Sequence, residues 1–82
     1  MKLKLGKIYQ YRHVRRMFTV EHDKMQQLID ESVGRLMHGE PFILLEIKQR
    51  NFPIAKILSK KGIVGWIEFH PENIREYSEK PW

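Results

Sequence analysis

Ser59-Lys60-Lys61-Gly62-Ile63-Val64-Gly65-Trp66-Ile67 (SKKGIVGWI) is the stretch that decides the fold. Lys60-Lys61-Gly62 reads as a tight hairpin turn, with glycine supplying a positive φ that other residues adopt only at a cost. The run Ile54 to Ser59 enters this turn as one strand, and Ile63 to Ile67 leaves it as the next. Side chains alternate along a strand, so Gly65 faces the interior with Ile63 and Ile67, while Val64 and Trp66 face the other side. An inward glycine removes the side chain where two backbones come close. Backbones come that close where a small sheet bends sharply, so the hairpin predicts a small barrel.

Working outward, Lys7-Ile8-Tyr9-Gln10-Tyr11-Arg12 sets Ile8 against Tyr9 and Tyr11 and reads as a first strand opened by Gly6. Arg15 to Val20 extends it or forms a short second piece. Phe42 to Lys48 is a strand with Ile43, Leu45 and Ile47 on one face and Phe42 and Leu44 on the other. Pro53 opens the next strand, at the position where a missing N–H does least harm. Beyond the hairpin, Glu68 to Asn73 turns, Ile74 to Tyr77 forms a final short strand, and residues 78–82 are a tail. Between the first and second groups of strands the period changes. Met25, Leu28, Ile29, Ser32, Val33, Leu36 and Met37 follow the i, i+3, i+4 spacing of one helix face. This predicts a helix over about residues 21–38, capped by Thr19 or Asp23 and stopped by Gly39 and Pro41. Gly34 stands inside it at a cost of about 1 kcal/mol relative to alanine. The helix is expected to cover the Phe42 and Leu44 face and to pack on Trp66.

The chain has 82 residues, no cysteine and a net charge of +5. That length makes one domain, residues 1–82, burying about 60% of its unfolded surface, so each large apolar residue counts. No disulfide or thiolate–metal site is available to it. Its apolar runs are far short of the ~20 residues that span a membrane, and Met1 to Gly6 lacks the apolar core of a signal peptide. A soluble, cytoplasmic protein is expected. The charge is arranged in blocks. Residues 1–20 carry six basic side chains and no acid, and residues 41–62 carry five basic and one acidic. Residues 21–40 and 63–82 are acidic on balance. The blocks read either as an ordinary solvated surface or, if they meet in space, as a basic face for phosphates or an acidic partner.

Gly39-Glu40-Pro41-Phe42-Ile43-Leu44-Leu45-Glu46, then Ala55, then Gly62-Ile63-Val64-Gly65-Trp66-Ile67, resemble the strands of the SH3-like barrel. Lys7-Ile8-Tyr9-Gln10-Tyr11 is similar to that family's opening strand. The resemblance covers residues 6–12 and 39–77 and implies a mainly β, SH3-like small barrel of about five strands. The expected helix would be an insertion after the first strand. The same hairpin is similar to that of small early proteins of tailed phages, which implies a host cytoplasm. SH3 domains that bind proline-rich peptides use two opening tyrosines, a tryptophan at the start of the third strand and a Pro-x-x-Tyr turn. Here Tyr9 and Tyr11 match. The tryptophan position falls near Asn51 or Phe52, and Glu68-Phe69-His70-Pro71 replaces the turn.

Two readings of the aromatic residues are open. Tyr9, Tyr11, Trp66 and Phe69 form an exposed surface, or they seal the barrel, burial being favoured for Trp66 in so small a chain. Arg12, Arg15, Arg16, Arg50, Lys60 and Lys61, with Lys7, Lys48 and Lys56, come from the basic blocks. Interleaved with Tyr9, Tyr11 and Phe52 they would suit phosphate contact and base stacking. His13, His22, His38 and His70 show no metal-ligand spacing. No nucleophile elbow, phosphate-cradling glycine loop or isolated carboxylate pair is present, so neither an enzyme nor a cofactor is expected. The sequence points to a non-catalytic binding module. The first expectation is a protein-docking adaptor or inhibitor acting through an aromatic and basic surface. The alternative is nucleic-acid binding by the same surface.

Overall fold

The computed structural model describes residues 3–18, 32–49, 53–80 and 82. Seven strands run through them: β1 (Ile8–Tyr11), β2 (Arg15–Phe18), β3 (Ser32–Leu36), β4 (Pro41–Gln49), β5 (Pro53–Ser59), β6 (Val64–Glu68) and β7 (Ile74–Glu76), with a single 3-10 turn at Pro71–Asn73 before β7. Isoleucine, phenylalanine, tyrosine and leucine dominate these strands, side chains that suit a half-buried pleated surface. All seven pair antiparallel in one sheet ordered β3-β2-β6-β5-β4-β1-β7, curled into a half-barrel. The fold is compatible with an SH3-like barrel.

Among the described residues the expected helix is not found, and the fold they make is all-β rather than a barrel with a helical insertion. Ser32–Leu36, the last part of that helix in the sequence reading, is β3. The capping residues Thr19 and Asp23 and the stripe positions Met25, Leu28 and Ile29 lie outside the described residues. The misleading signal has a physical origin. Met17 pairs with Gly34 while Phe18 pairs with Ser32, so the register shifts and Val33 is an extra residue in β3. A bulge of this kind turns an i, i+3 pair onto one side of a strand. Val33 and Leu36 therefore both reach the core, as they would on a helix face. Gly34 has φ 155°, far from the helical value near −63°.

The face bearing Phe42 and Leu44 is covered by the curl of the sheet itself. Tyr9, Tyr11, Met17, Leu36, Phe42, Leu44, Ala55, Ile57, Ile67, Phe69 and Ile74 make one buried cluster on the concave side. A second irregularity, between Leu44 and Glu46, bends β4 within its pairing with β5. The decisive hairpin is as read from sequence. Gly62 has φ 82°, its N–H bonds the Ser59 carbonyl, and the Ser59 N–H bonds the Ile63 carbonyl. Gly65 is buried and faces inward. A Cβ placed on it would lie 3.1 Å from the Phe18 carbonyl oxygen and 3.2 Å from Val33 Cγ2. The glycine thus lets the β2–β3 hairpin lie directly over β6.

Candidate docking face

The aromatic residues proposed as a surface are placed in the interior. Tyr9, Tyr11 and Phe69 belong to the concave core, and Trp66 packs with Phe18 and Ile54 in a second buried cluster. Both tyrosine hydroxyls are engaged: Tyr9 accepts from the Lys4 N–H at 2.7 Å and Tyr11 from the His70 N–H at 2.8 Å. Burial raises the Tyr11 phenol above its ordinary 10.0, against the lowering effect of the His70 hydrogen bond and of Arg15. The Lys48 ammonium lies over the Trp66 ring, 5.7 Å from its centroid. Arg50 and Phe52 lie outside the described residues.

The basic candidates do not share one face. Lys60 and Lys61 sit on the β5–β6 turn. Arg15 sits at the other end of β6, its guanidinium 3.9 Å from the Glu68 carboxylate and 5.1 Å from the Tyr11 ring centroid. Arg12 is at that same end, its N–H bonded to the Asn73 carbonyl. The five residues of β6 put about 13 Å of strand between the two groups. At the Arg15 end the charge is balanced, because Glu68 and Glu72 also flank the two imidazole nitrogens of His70 at 3.9 and 4.0 Å. Arg16 is different. It stands directly opposite Arg35 in the β2–β3 ladder, and both are exposed. Among the described residues neither meets a carboxylate. Like charges facing across a ladder destabilise it, so this pair is an anion-attracting spot maintained at a cost. Arg35 did not stand out in the sequence because its partner is set by register.

The largest departure from an ordinary small-protein surface lies on the convex side. Ile8 pairs with Ile43, Ile43 with Leu58, and Leu58 with Val64. Four aliphatic side chains therefore form a straight row across β1, β4, β5 and β6. Neighbours in such a row lie about 5 Å apart. Ile8 and Val64 are 47% and 46% exposed, and Ile43 and Leu58 are half-buried. Beside the row, Ile8, Pro41, Ile43, Leu58 and Lys60 line an open groove of about 270 Å³. Sequence reading placed Ile43 with Leu45 and Ile47 on one face. It could not find the row, because a row is a property of register between strands far apart in the chain. Among the described residues no cluster of histidines and carboxylates is arranged to hold a metal ion, and no helix is long and apolar enough to cross a membrane.

The class these observations define is a small, curled antiparallel half-barrel with a solvent-facing aliphatic row and separated basic spots. No family model, curated protein or solved structure matches the chain.

Proposed function

We propose that the chain is a non-catalytic docking module, built on an SH3-like barrel, that engages a protein partner through the convex aliphatic row. The observation that carries this reading is the unbroken line Ile8–Ile43–Leu58–Val64 across four neighbouring strands, with Ile8 and Val64 exposed at its ends. Contiguous exposed apolar residues on a monomer mark interaction sites far more often than isolated ones do. A curled sheet also presents such a row on a rigid backbone, so little conformational entropy is lost on binding. The docking surface differs from the one expected from sequence, since the aromatic residues support the core and the aliphatic ones face out.

Affinity capture from nuclease-treated cytoplasmic extract tests the reading, with the wild-type chain beside Val64→Asp and Ile43→Asp. Val64 is the cleaner site because its side chain is exposed. Loss of a specific partner in both variants, with thermal melts like that of the wild type, supports docking through the row. Capture unchanged in folded variants sinks it.

The Arg16–Arg35 pair favours a second reading, contact with a nucleic-acid backbone. With about four phosphate contacts, a fourfold rise in salt weakens binding roughly a hundredfold, because each neutralised phosphate releases counterions. The variant combining Arg16→Ala and Arg35→Ala then flattens that slope. No binding of duplex or single strand at low salt in a filter assay removes this reading.

A further inference from the structure

We infer that the segment docking on the convex row is acidic as well as aliphatic, a partner chain in which carboxylates flank the apolar anchors. This rests on the docking reading above. The basic residues around the row divide into two kinds. Lys7 is bonded to Glu76, and Lys48 lies 3.8 Å from Glu46, so their charges are answered within the chain. Lys56 stands opposite the Glu46 carboxylate in the β4–β5 ladder, whereas Lys60 and Lys61 meet no carboxylate among the described residues. These two are also placed against the row: Lys60 lines the groove, and Lys61 follows it in the turn leading to Val64. The flank of the aliphatic line at the β5–β6 turn therefore carries two unanswered ammonium groups. Side chains from an incoming chain that reach Leu58 and Val64 place their neighbours within reach of these lysines. Carboxylates there are attracted and lysines repelled, so charge sets which apolar segment is accepted.

The same charges disfavour a second copy of this chain as the occupant. Pairing two rows about a twofold axis uses the same patch on both copies. It brings the Lys60 and Lys61 ammonium groups of both copies into one small interface, where like charges oppose association.

The test uses short capped peptides that alternate leucine with either glutamate or lysine, titrated into the isotope-labelled whole chain and followed by amide shifts. The glutamate peptide is expected to move Ile8, Ile43, Leu58 and Val64. The lysine peptide is expected to bind at least about tenfold more weakly. Lys60→Glu with Lys61→Glu is expected to reverse that preference, and Val64→Asp to weaken both peptides. Equal binding of the two peptides, or preference for lysine, overturns the acidic assignment and leaves docking through the row intact. Shifts absent from the row with either peptide also overturn it. So does a concentration-dependent dimer that Val64→Asp dissolves, which assigns the row to a second copy. The docking reading itself fails separately, by partner capture that ignores Val64→Asp and Ile43→Asp.

Discussion

Replacing Gly65 by valine measures how tightly the β2–β3 hairpin lies on β6. The first added carbon would stand 3.1 Å from the Phe18 carbonyl oxygen, 3.2 Å from Val33 Cγ2 and 3.3 Å from Met17 Cβ. Each is tighter than nine in ten real Cβ contacts, and three of them converge. Val33 can rotate, but the Phe18 carbonyl is backbone and Met17 Cβ is fixed to backbone. Relief therefore requires β2 to move away from β6, where Phe18 pairs with Trp66. Alanine at this position still gains from a stiffer unfolded chain, an offset of about 0.5–1 kcal/mol, so Gly65→Ala should be only mildly destabilising. Valine adds two methyl groups in the same confined space. Overpacking of this kind costs about 1–3 kcal/mol, and the backbone contact places Gly65→Val in the upper half of that range. At roughly 4–8 °C per kcal/mol for a domain of this size, 2 kcal/mol lowers the melting midpoint by about 8–16 °C. Scanning calorimetry of wild type, Gly65→Ala and Gly65→Val gives the series. Gly62→Ala is the control: it strains a positive φ but meets nothing within 4 Å, so it lacks the packing component. A Gly65→Val midpoint within a degree or so of the wild type would refute the close approach.

Three further outcomes follow from the structure. Gln10 is buried, with its amide nitrogen bonded to the Gly39 and Ser78 carbonyls and its oxygen accepting from Arg75 and the Ser78 N–H. Gln10→Ala should cost about 2–4 kcal/mol by leaving several partners unsatisfied, read by urea denaturation. Arg35→Glu converts a repulsive cross-strand pair into an attractive one and should stabilise by several tenths of a kcal/mol or more, seen as a higher melting midpoint. Because the folded chain holds the Tyr11 phenol above its ordinary 10.0, stability is full below pH 10.0 and falls as pH rises through the folded value. Tyr11→Phe should lose about 1 kcal/mol near neutrality, from the His70 N–H left without its acceptor, and should show less of the alkaline decline in urea melts above pH 10.0.

Much of the sheet could be read directly from the chain. Pro53, Gly62, Gly65 and the alternation around them carry their meaning locally, so the β5–β6 hairpin and the inward glycine were legible. The segment before β4 was not. Val33 and Leu36 share a side through a bulge, and a bulge is created by what the strand pairs with, here Met17 and Phe18. The same limit applies to the surface. Tyr9 and Tyr11 look identical in sequence whether they line a groove or fill a core. Their burial follows from lying opposite Phe42 on one side and Ile74 on the other. Glu68 and Glu72 answer the basic charge at the Arg15 end, and only the folded geometry places them there.

The position of β1 has a consequence for how the chain acquires its structure. It lies between β4 and β7, pairing Tyr9 with both Phe42 and Glu76, and Gln10 clasps Gly39 on one side and Ser78 on the other. Every ladder that β1 enters joins residues far apart in the chain. Such non-local closure places folding of β-rich domains in the millisecond-to-second range rather than the microsecond range of helical bundles. On a ribosome adding about 5–20 residues per second, β1 emerges first yet waits for β4 and then β7 before both its edges are covered. The β5–β6 hairpin, closed by Ser59, Gly62 and Ile63 within a few residues, needs no such wait. The tight turn is therefore the natural starting point of assembly, and the first strand made is the last to be locked.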